Sequence, residues 1–211
     1  NYVREVRDVI GYDVPLAIDH FGHVCVEDCI RFARRMEKYN LAWMEDMIPW
    51  MYTEQYVRLR NSTAIPVCTG EDIYLKENFK PLLEAGGVSV IHPDILTCGG
   101  ALELKKIADM ADEHGVAVAV HMAESPVGCL AAVQTAAAMQ NVLALEFHSV
   151  DVPWWGDMVT GVPKPLFENG FIRVPEKPGL GFDELNEEVL RAHSEGIISL
   201  SGCLAGNVQH R

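Results

Sequence analysis

Six ionisable residues, Asp19, Glu45, Glu71, Asp94, His121 and Glu146, each close a short apolar run. Asp19, Glu45 and Glu71 follow one another at equal intervals of 26 residues. Three carboxylates side by side repel unless a cation lies between them. An all-oxygen set without Cys or His suits a hard ion such as Mg²⁺, which keeps positions open for substrate oxygens. Taken singly, each acid reads as a cap on the helix that follows; three in register read as a metal site. Asp94 and His121, 27 residues apart, form the next pair. A carboxylate beside an imidazole orients it and raises its basicity, as a general base requires. Glu146 approaches the same place from the histidine side, as a hydrogen-bond donor if protonated or as a second base. A cation holding a substrate carboxylate lowers the cost of an enediolate at the α-carbon, and a histidine beside it removes the α-proton. The chemistry these residues suggest is proton abstraction next to a carboxylate.

Regular elements must bring these residues together. Amphipathic helical patterns at residues 2–10, 26–39, 53–61, 76–85 and 101–114 and an apolar helical pattern at 126–139 alternate with apolar runs at 15–19, 41–45, 65–71, 88–94, 116–121 and 143–146. Such alternation implies parallel strands covered by helices. The expected fold class is α/β, a partial TIM-type (β/α) barrel of about six units, two short of the eight that take about 250 residues. No glycine-rich dinucleotide fingerprint follows a strand, which disfavours an open nucleotide-binding sheet. In a barrel the C-terminal strand ends ring one mouth, where active sites lie, and neighbouring strands are only ~4.8 Å apart. Residues 1–150 are therefore expected to carry the barrel units and the site. Residues 151–211 read as a tail packing on the barrel, with a hairpin turn at Asn169-Gly170 and a final helix over 183–193. Trp154 and Trp155 read as packing residues of that tail.

Composition narrows the function classes. The 211 residues are 49% hydrophobic and 22% charged, with a mean hydropathy of +0.06, a globular profile that excludes disorder and coiled coil. A net charge of −13 argues against a nucleic-acid partner. No apolar run reaches the ~18 residues of a membrane span. The six cysteines form no CxxC pair and read as buried, reduced thiols of a cytoplasmic protein. A metal-dependent hydrolase barrel fits poorly, because its sites recruit several histidines.

The motifs Ala17-Ile18-Asp19, Trp43-Met44-Glu45-Asp46, Thr69-Gly70-Glu71-Asp72, Ile91-His92-Pro93-Asp94 with Gly99-Gly100, Ala119-Val120-His121 and Leu145-Glu146 are individually unremarkable. As a set, over residues 14–186, they resemble the barrel domain of the enolase superfamily, in its mandelate racemase / muconate lactonising enzyme branch. The resemblance implies Mg²⁺ on Asp19, Glu45 and Glu71, a His121–Asp94 dyad as base, and Glu146 aiding the enediolate from the far strand. Pro153-Trp154-Trp155, the run from Pro165 to Pro175 and Pro178-Gly179-Leu180-Gly181 look most like the gluconate, galactonate and mannonate dehydratases. Those abstract the α-proton of a sugar acid and expel the β-hydroxyl, giving a 2-keto-3-deoxy acid. The implied partner is thus a small sugar acid, with no nucleic acid or membrane, in a homo-oligomer of the whole protein.

Two features depart from that pattern. Several of these dehydratases carry a histidine two residues past the first metal acid, where this chain has Phe21. His20 and His23 flank it, strand alternation points His20 away, and His23 and His148 are the candidate acids for the leaving group. His92 shares a face with Asp94 in a supporting role. The second departure is that the family's capping domain, first two barrel strands and second-strand lysine motif precede this region, so the chain reads as strands 3 to 8, a fragment or the ordered part of a longer chain. The rival readings are a racemase, epimerase or cycloisomerase with the same base but no leaving-group acid, and a catalytically incomplete barrel that binds metal without turnover.

Overall fold

The computed structural model describes residues 2–20 and 24–192. The chain divides into two compact units, one ending at Asp151 and the next beginning at Val152. In the first, six helices, α1 (Tyr2–Ile10), α2 (Val26–Met36), α3 (Thr53–Arg60), α4 (Leu75–Glu84), α5 (Ala101–Glu113) and α6 (Pro126–Ala136), alternate with six strands. The strands are β1 (Ile18–Asp19), β2 (Met44–Glu45), β3 (Val67–Thr69), β4 (Val90–Ile91), β5 (Ala117–Val120) and β6 (Val142–Leu145). They form one sheet in sequence order, with every pairing parallel. The partial (β/α) barrel expected from the alternation is the fold observed.

The strands are shorter than the apolar runs. Pro66 and Pro93 fall inside two of those runs and have no N–H to give the ladder. Pairing nevertheless continues past the strand ends: His20 N–H donates to Glu45 O (3.1 Å), His92 N–H to Thr69 O (3.0 Å) and Glu146 N–H to Val120 O (2.9 Å). Beyond Pro93 the ladder resumes as a single parallel bridge between Asp94 and His121.

Alternation sorts the strand residues onto two faces. Met44, Val67, Ile91, Val118 and Val120 belong to the main core with Ile30, Tyr56, Leu59, Phe79, Leu82, Leu104 and Ile107 of the helices. The opposite face is lined by Cys68, Val90 and Ala119, packed with Trp43. Two of these are small, as a barrel interior requires where side chains from several strands converge. Two residues beyond Val90 and Ala119, on that inner face, come His92 and His121. Arg7, only 3% exposed, ties α1 to the turn after α2: its guanidinium donates to the carbonyls of Tyr39, Asn40, Gly11 and Val14 at 2.7–2.9 Å.

In the second unit β7 (Phe167–Glu168) and β8 (Phe171–Ile172) pair antiparallel about Asn169 (φ 53°) and Gly170 (φ 80°), the left-handed pair that a tight hairpin demands. Trp155, Val159 and Leu166 are its buried apolar side chains. The final helix is shorter at its start than the pattern over 183–193: α7 spans Glu187–Ala192, and His193 lies outside the described residues. No helix among the described residues is long and apolar enough to cross a membrane.

Candidate active site

The inner-face positions gather four overlapping groups whose ligand atoms lie within 4.8 Å of one another: Asp19–Glu45–Asp46, Glu45–Cys68–His92, Glu71–His92–His121 and Asp94–His121–Glu124. All six residues singled out in the sequence lie in or against this cluster. Asp19 pairs with Glu45 in register, and Glu45 in turn sits opposite Cys68. Glu71 is three residues past Cys68, so strict alternation would turn it outward. Gly70 breaks the alternation at φ 153°, where its missing Cβ also lets the backbone approach His92: an added Cβ would lie 2.8 Å from His92 N.

The structure brings Asp94 and His121 together. His121 Nδ1–H donates to Asp94 Oδ2 at 2.7 Å, while Oδ1 of Asp94 accepts from the backbone N–H groups of Leu96 (2.7 Å) and Thr97 (2.9 Å). Burial alone would raise the Asp94 pKa, but hydrogen bonds from His121, Glu124 and those amides hold it well below the carboxylate range. Nε2 of His121 lies 2.9 Å from Glu71 Oε2 and 3.5 Å from Glu146 Oε2. Burial works against an imidazolium here, yet the hydrogen bonds to Asp94 and Glu71 and the charges of Glu71 and Glu146 raise His121 to about 10. The hydrogen bond from His121 lowers Glu71 in return, against burial.

Glu146 is the hub of the histidines. Its Oε2 lies 3.2 Å from His92 Nε2 and accepts from Met122 N–H at 3.3 Å, and its Oε1 lies 2.6 Å from His148 Nε2. Burial would raise its pKa, but His92, His148 and His121 together bring it down to about 2, so Glu146 here is an ionised acceptor rather than a donor.

The predicted metal triad is only partly assembled. Asp19 and Glu45 share a group with Asp46, whereas the Glu71 oxygen is turned to His121. A carboxylate within reach of an imidazolium takes that charge-assisted bond. The acids nonetheless fit a hard divalent cation. Burial raises Glu45, with the charges of Asp19 and Glu146 adding to the effect, and burial with the charges of Glu45, Glu71 and Asp19 pushes Asp46 to about 7. A cation among these oxygens relieves that crowding. The softer Glu45–Cys68–His92 group suits an ion less, because burial drives the Cys68 thiol well up and keeps it protonated.

Sequence reasoning gave too little weight to three neighbours. His92, 2% exposed, has Nδ1 2.6 Å from Ala119 O and Nε2 3.2–3.3 Å from Glu146 and Glu45. Both ring nitrogens face oxygens; burial opposes a charge on the ring, but the bond to Glu146 and the charges of Glu45 and Glu146 outweigh it and raise the His92 pKa. Its shared parity with Asp94 was the only signal. Trp43 Nε1–H donates to Glu45 Oε2 at 2.8 Å, two residues away on the same face. Glu124 reaches Asp94 and His121 from the loop before α6, and burial together with Asp94 raises its pKa; no periodicity marks a loop residue. His20 turns from the cluster, as alternation predicted, its ring 4.9 Å from that of Phe32 on α2. Phe21 and His23 lie outside the described residues.

Known proteins carry the same frame. A D-xylonate dehydratase of Haloferax volcanii is 37% identical over 191 residues, covering 90% of this chain and 46% of its own length. A D-galactonate dehydratase of Cronobacter sakazakii is 30% identical over 200 residues, 93% of this chain and 52% of its own. The chain thus spans about half the length of the curated relatives it matches. The crystal structure of a mandelate racemase/muconate lactonizing enzyme-like protein from Rubrobacter xylanophilus superposes with a TM-score of 0.87 at 38% identity, covering 90% of this chain and 48% of that one. Residues 1–189 match the enolase C-terminal domain-like family as a whole, and with six parallel strands delivering acids and a His–Asp pair to one mouth, the chain belongs to that family.

Proposed function

We propose that the whole protein is a Mg²⁺-dependent acid-sugar dehydratase, a hydro-lyase that takes an aldonic or aldaric acid to its 2-keto-3-deoxy acid. The observation that carries this reading is the His121–Asp94 pair, anchored at 2.7 Å, with Nε2 directed between Glu71 and Glu146. The D-xylonate and D-galactonate dehydratases that share the fold support the substrate class.

Asp19, Glu45 and Glu71 would hold the cation, which supplies positive charge toward a substrate carboxylate and so makes the α-hydrogen acidic. Asp94 holds the Nδ1–H of His121; with Glu71 drawn to the cation, Nε2 would lose the carboxylate that keeps it protonated and become the basic nitrogen that takes the α-proton. Glu146, ionised and close to three imidazoles, keeps those rings oriented toward the reacting carbons. The α C–H electron pair becomes the enolic double bond and then expels the β-oxygen as water. Tautomerisation of the enol gives the keto acid.

A racemase or cycloisomerase reading is supported by the superposition on the mandelate racemase/muconate lactonizing enzyme-like protein and by the 3,6-anhydro-D-galactonate cycloisomerase of Zobellia galactanivorans, 32% identical with a TM-score of 0.82 over 91% of this chain and 54% of that one. The two separate in D₂O, with Mg²⁺ and a panel of sugar acids, by following the α-proton by NMR and the keto product with a carbonyl reagent. Keto acid from one member, lost in His121→Asn, is the expected result. Deuterium uptake without keto product would replace the dehydratase by a racemase or epimerase, and silence across the panel would remove both.

A further inference from the structure

Dehydration needs a second proton-transfer group besides the base, because a hydroxide ion leaves poorly unless protonated. We propose that His148 is the acid that delivers a proton to the departing β-hydroxyl; this rests on the dehydratase reading above.

His148 follows β6, two residues beyond Glu146. Its Nε2 lies 2.6 Å from Glu146 Oε1, and the other oxygen of the same carboxylate is 3.5 Å from His121 Nε2. The two rings are 6.1 Å apart, centroid to centroid, and inclined at 62°. One ionised carboxylate therefore holds base and acid side by side. The α-hydrogen and the β-oxygen sit on adjacent carbons, so an acid and a base each within about 3 Å of its target must stand close together. The spacing of His121 and His148 meets that condition.

The other imidazoles among the described residues do not. His20 lies against Phe32, His114 caps the far end of α5 ahead of β5, and His92 has both nitrogens committed within the interior. The side chain of His148 is 54% exposed, so water can return the proton it spends, and among the described residues its Nδ1 makes no hydrogen bond.

The step balances without a further reagent. The α C–H bond breaks and its proton goes to His121 Nε2. The freed electron pair forms the enediolate double bond and then shifts to join the α- and β-carbons as the β C–O bond breaks, the pair of that bond leaving on the oxygen. The oxygen takes its proton from His148, and solvent restores both imidazoles.

The test is His148→Asn in the whole protein with Mg²⁺ and the sugar acid that the wild type dehydrates. Dehydration should fall about 10²–10⁴-fold, the usual contribution of general acid catalysis. Exchange of the substrate α-proton with D₂O should persist, and should become visible in recovered substrate because elimination no longer outruns reprotonation. A 3-deoxy-3-fluoro analogue, whose leaving fluoride needs no proton, should eliminate within about tenfold of the wild-type rate. Exchange and dehydration falling together would make His148 a mere support for Glu146, and unchanged dehydration would place the acid elsewhere; either overturns the proposal. A wild type that dehydrates no sugar acid fails earlier, and that failure belongs to the dehydratase reading.

Discussion

Gly70→Ala is the most exacting test of how the site is built. At φ 153° an L-residue is strained, and its Cβ would meet His92 N at 2.8 Å, His92 C at 3.0 Å and Phe79 Cε1 at 3.1 Å. Two of these are backbone atoms and cannot swing aside. The dihedral costs about 1–3 kcal/mol, and forcing a methyl into packed backbone costs about 1–3 kcal/mol more. The expected loss is about 2–6 kcal/mol, a large share of a domain's ~5–15 kcal/mol. Gly115→Ala is the control, with φ 66° and nothing within 4 Å of an added Cβ, so it pays for the dihedral alone, about 1 kcal/mol. Urea melts of both variants measure the difference. Because β3 and β4 must part where Glu71 and His92 face each other, Gly70→Ala should also weaken Mg²⁺ binding by calorimetry, and Gly115→Ala should not. Equal melts, or unchanged Mg²⁺ affinity in a destabilised Gly70→Ala, would refute the claim that this glycine sets the strand approach and aims Glu71.

Glu71→Gln should weaken Mg²⁺ binding sharply by titration calorimetry, and unchanged affinity would remove Glu71 from the ligand set. Arg7→Met should cost about 2–4 kcal/mol in a urea melt, because a 3% exposed guanidinium satisfies four carbonyls that methionine cannot; a loss below about 0.5 kcal/mol would mean water replaces it. Glu37 accepts from Ala64 N–H and Thr63 Oγ1–H, both at 3.0 Å, and these bonds hold its pKa below 4.5. A depressed carboxyl stabilises the fold fully above its unfolded pKa and loses that contribution as pH falls through the folded one. Glu37→Gln should therefore be less stable than wild type at pH 7, with the gap closing below pH 4.5; a gap independent of pH would contradict the assignment.

Much of the frame was legible without coordinates. The alternation of helix and apolar run required parallel strands, and an acid or histidine at each run's end placed chemistry at one mouth. Asp94 and His121 are the clearest case: their places at the ends of successive strands were enough to pair them, and they meet in a single backbone bridge and a 2.7 Å side-chain hydrogen bond. Asn169-Gly170 was equally readable, because the turn chemistry is local.

Periodicity says which face a residue shares, not which partner it takes, and it is silent in loops. Glu71 shows the limit: parity alone sends it outward, and only the backbone at Gly70, pressed against His92, brings it in. Its oxygen then goes to His121 because an imidazolium beside a carboxylate outcompetes water. His92 looked like one more inner-face residue until its nitrogens were found between Ala119, Glu45 and Glu146, and Glu124 had no sequence signal at all. Covalent spacing and apolar pattern determined the barrel units and the ring of ionisable residues around their mouth. Tertiary structure decided the protonation and pairing inside that ring, because both depend on burial and on charges brought close from strands far apart in the chain.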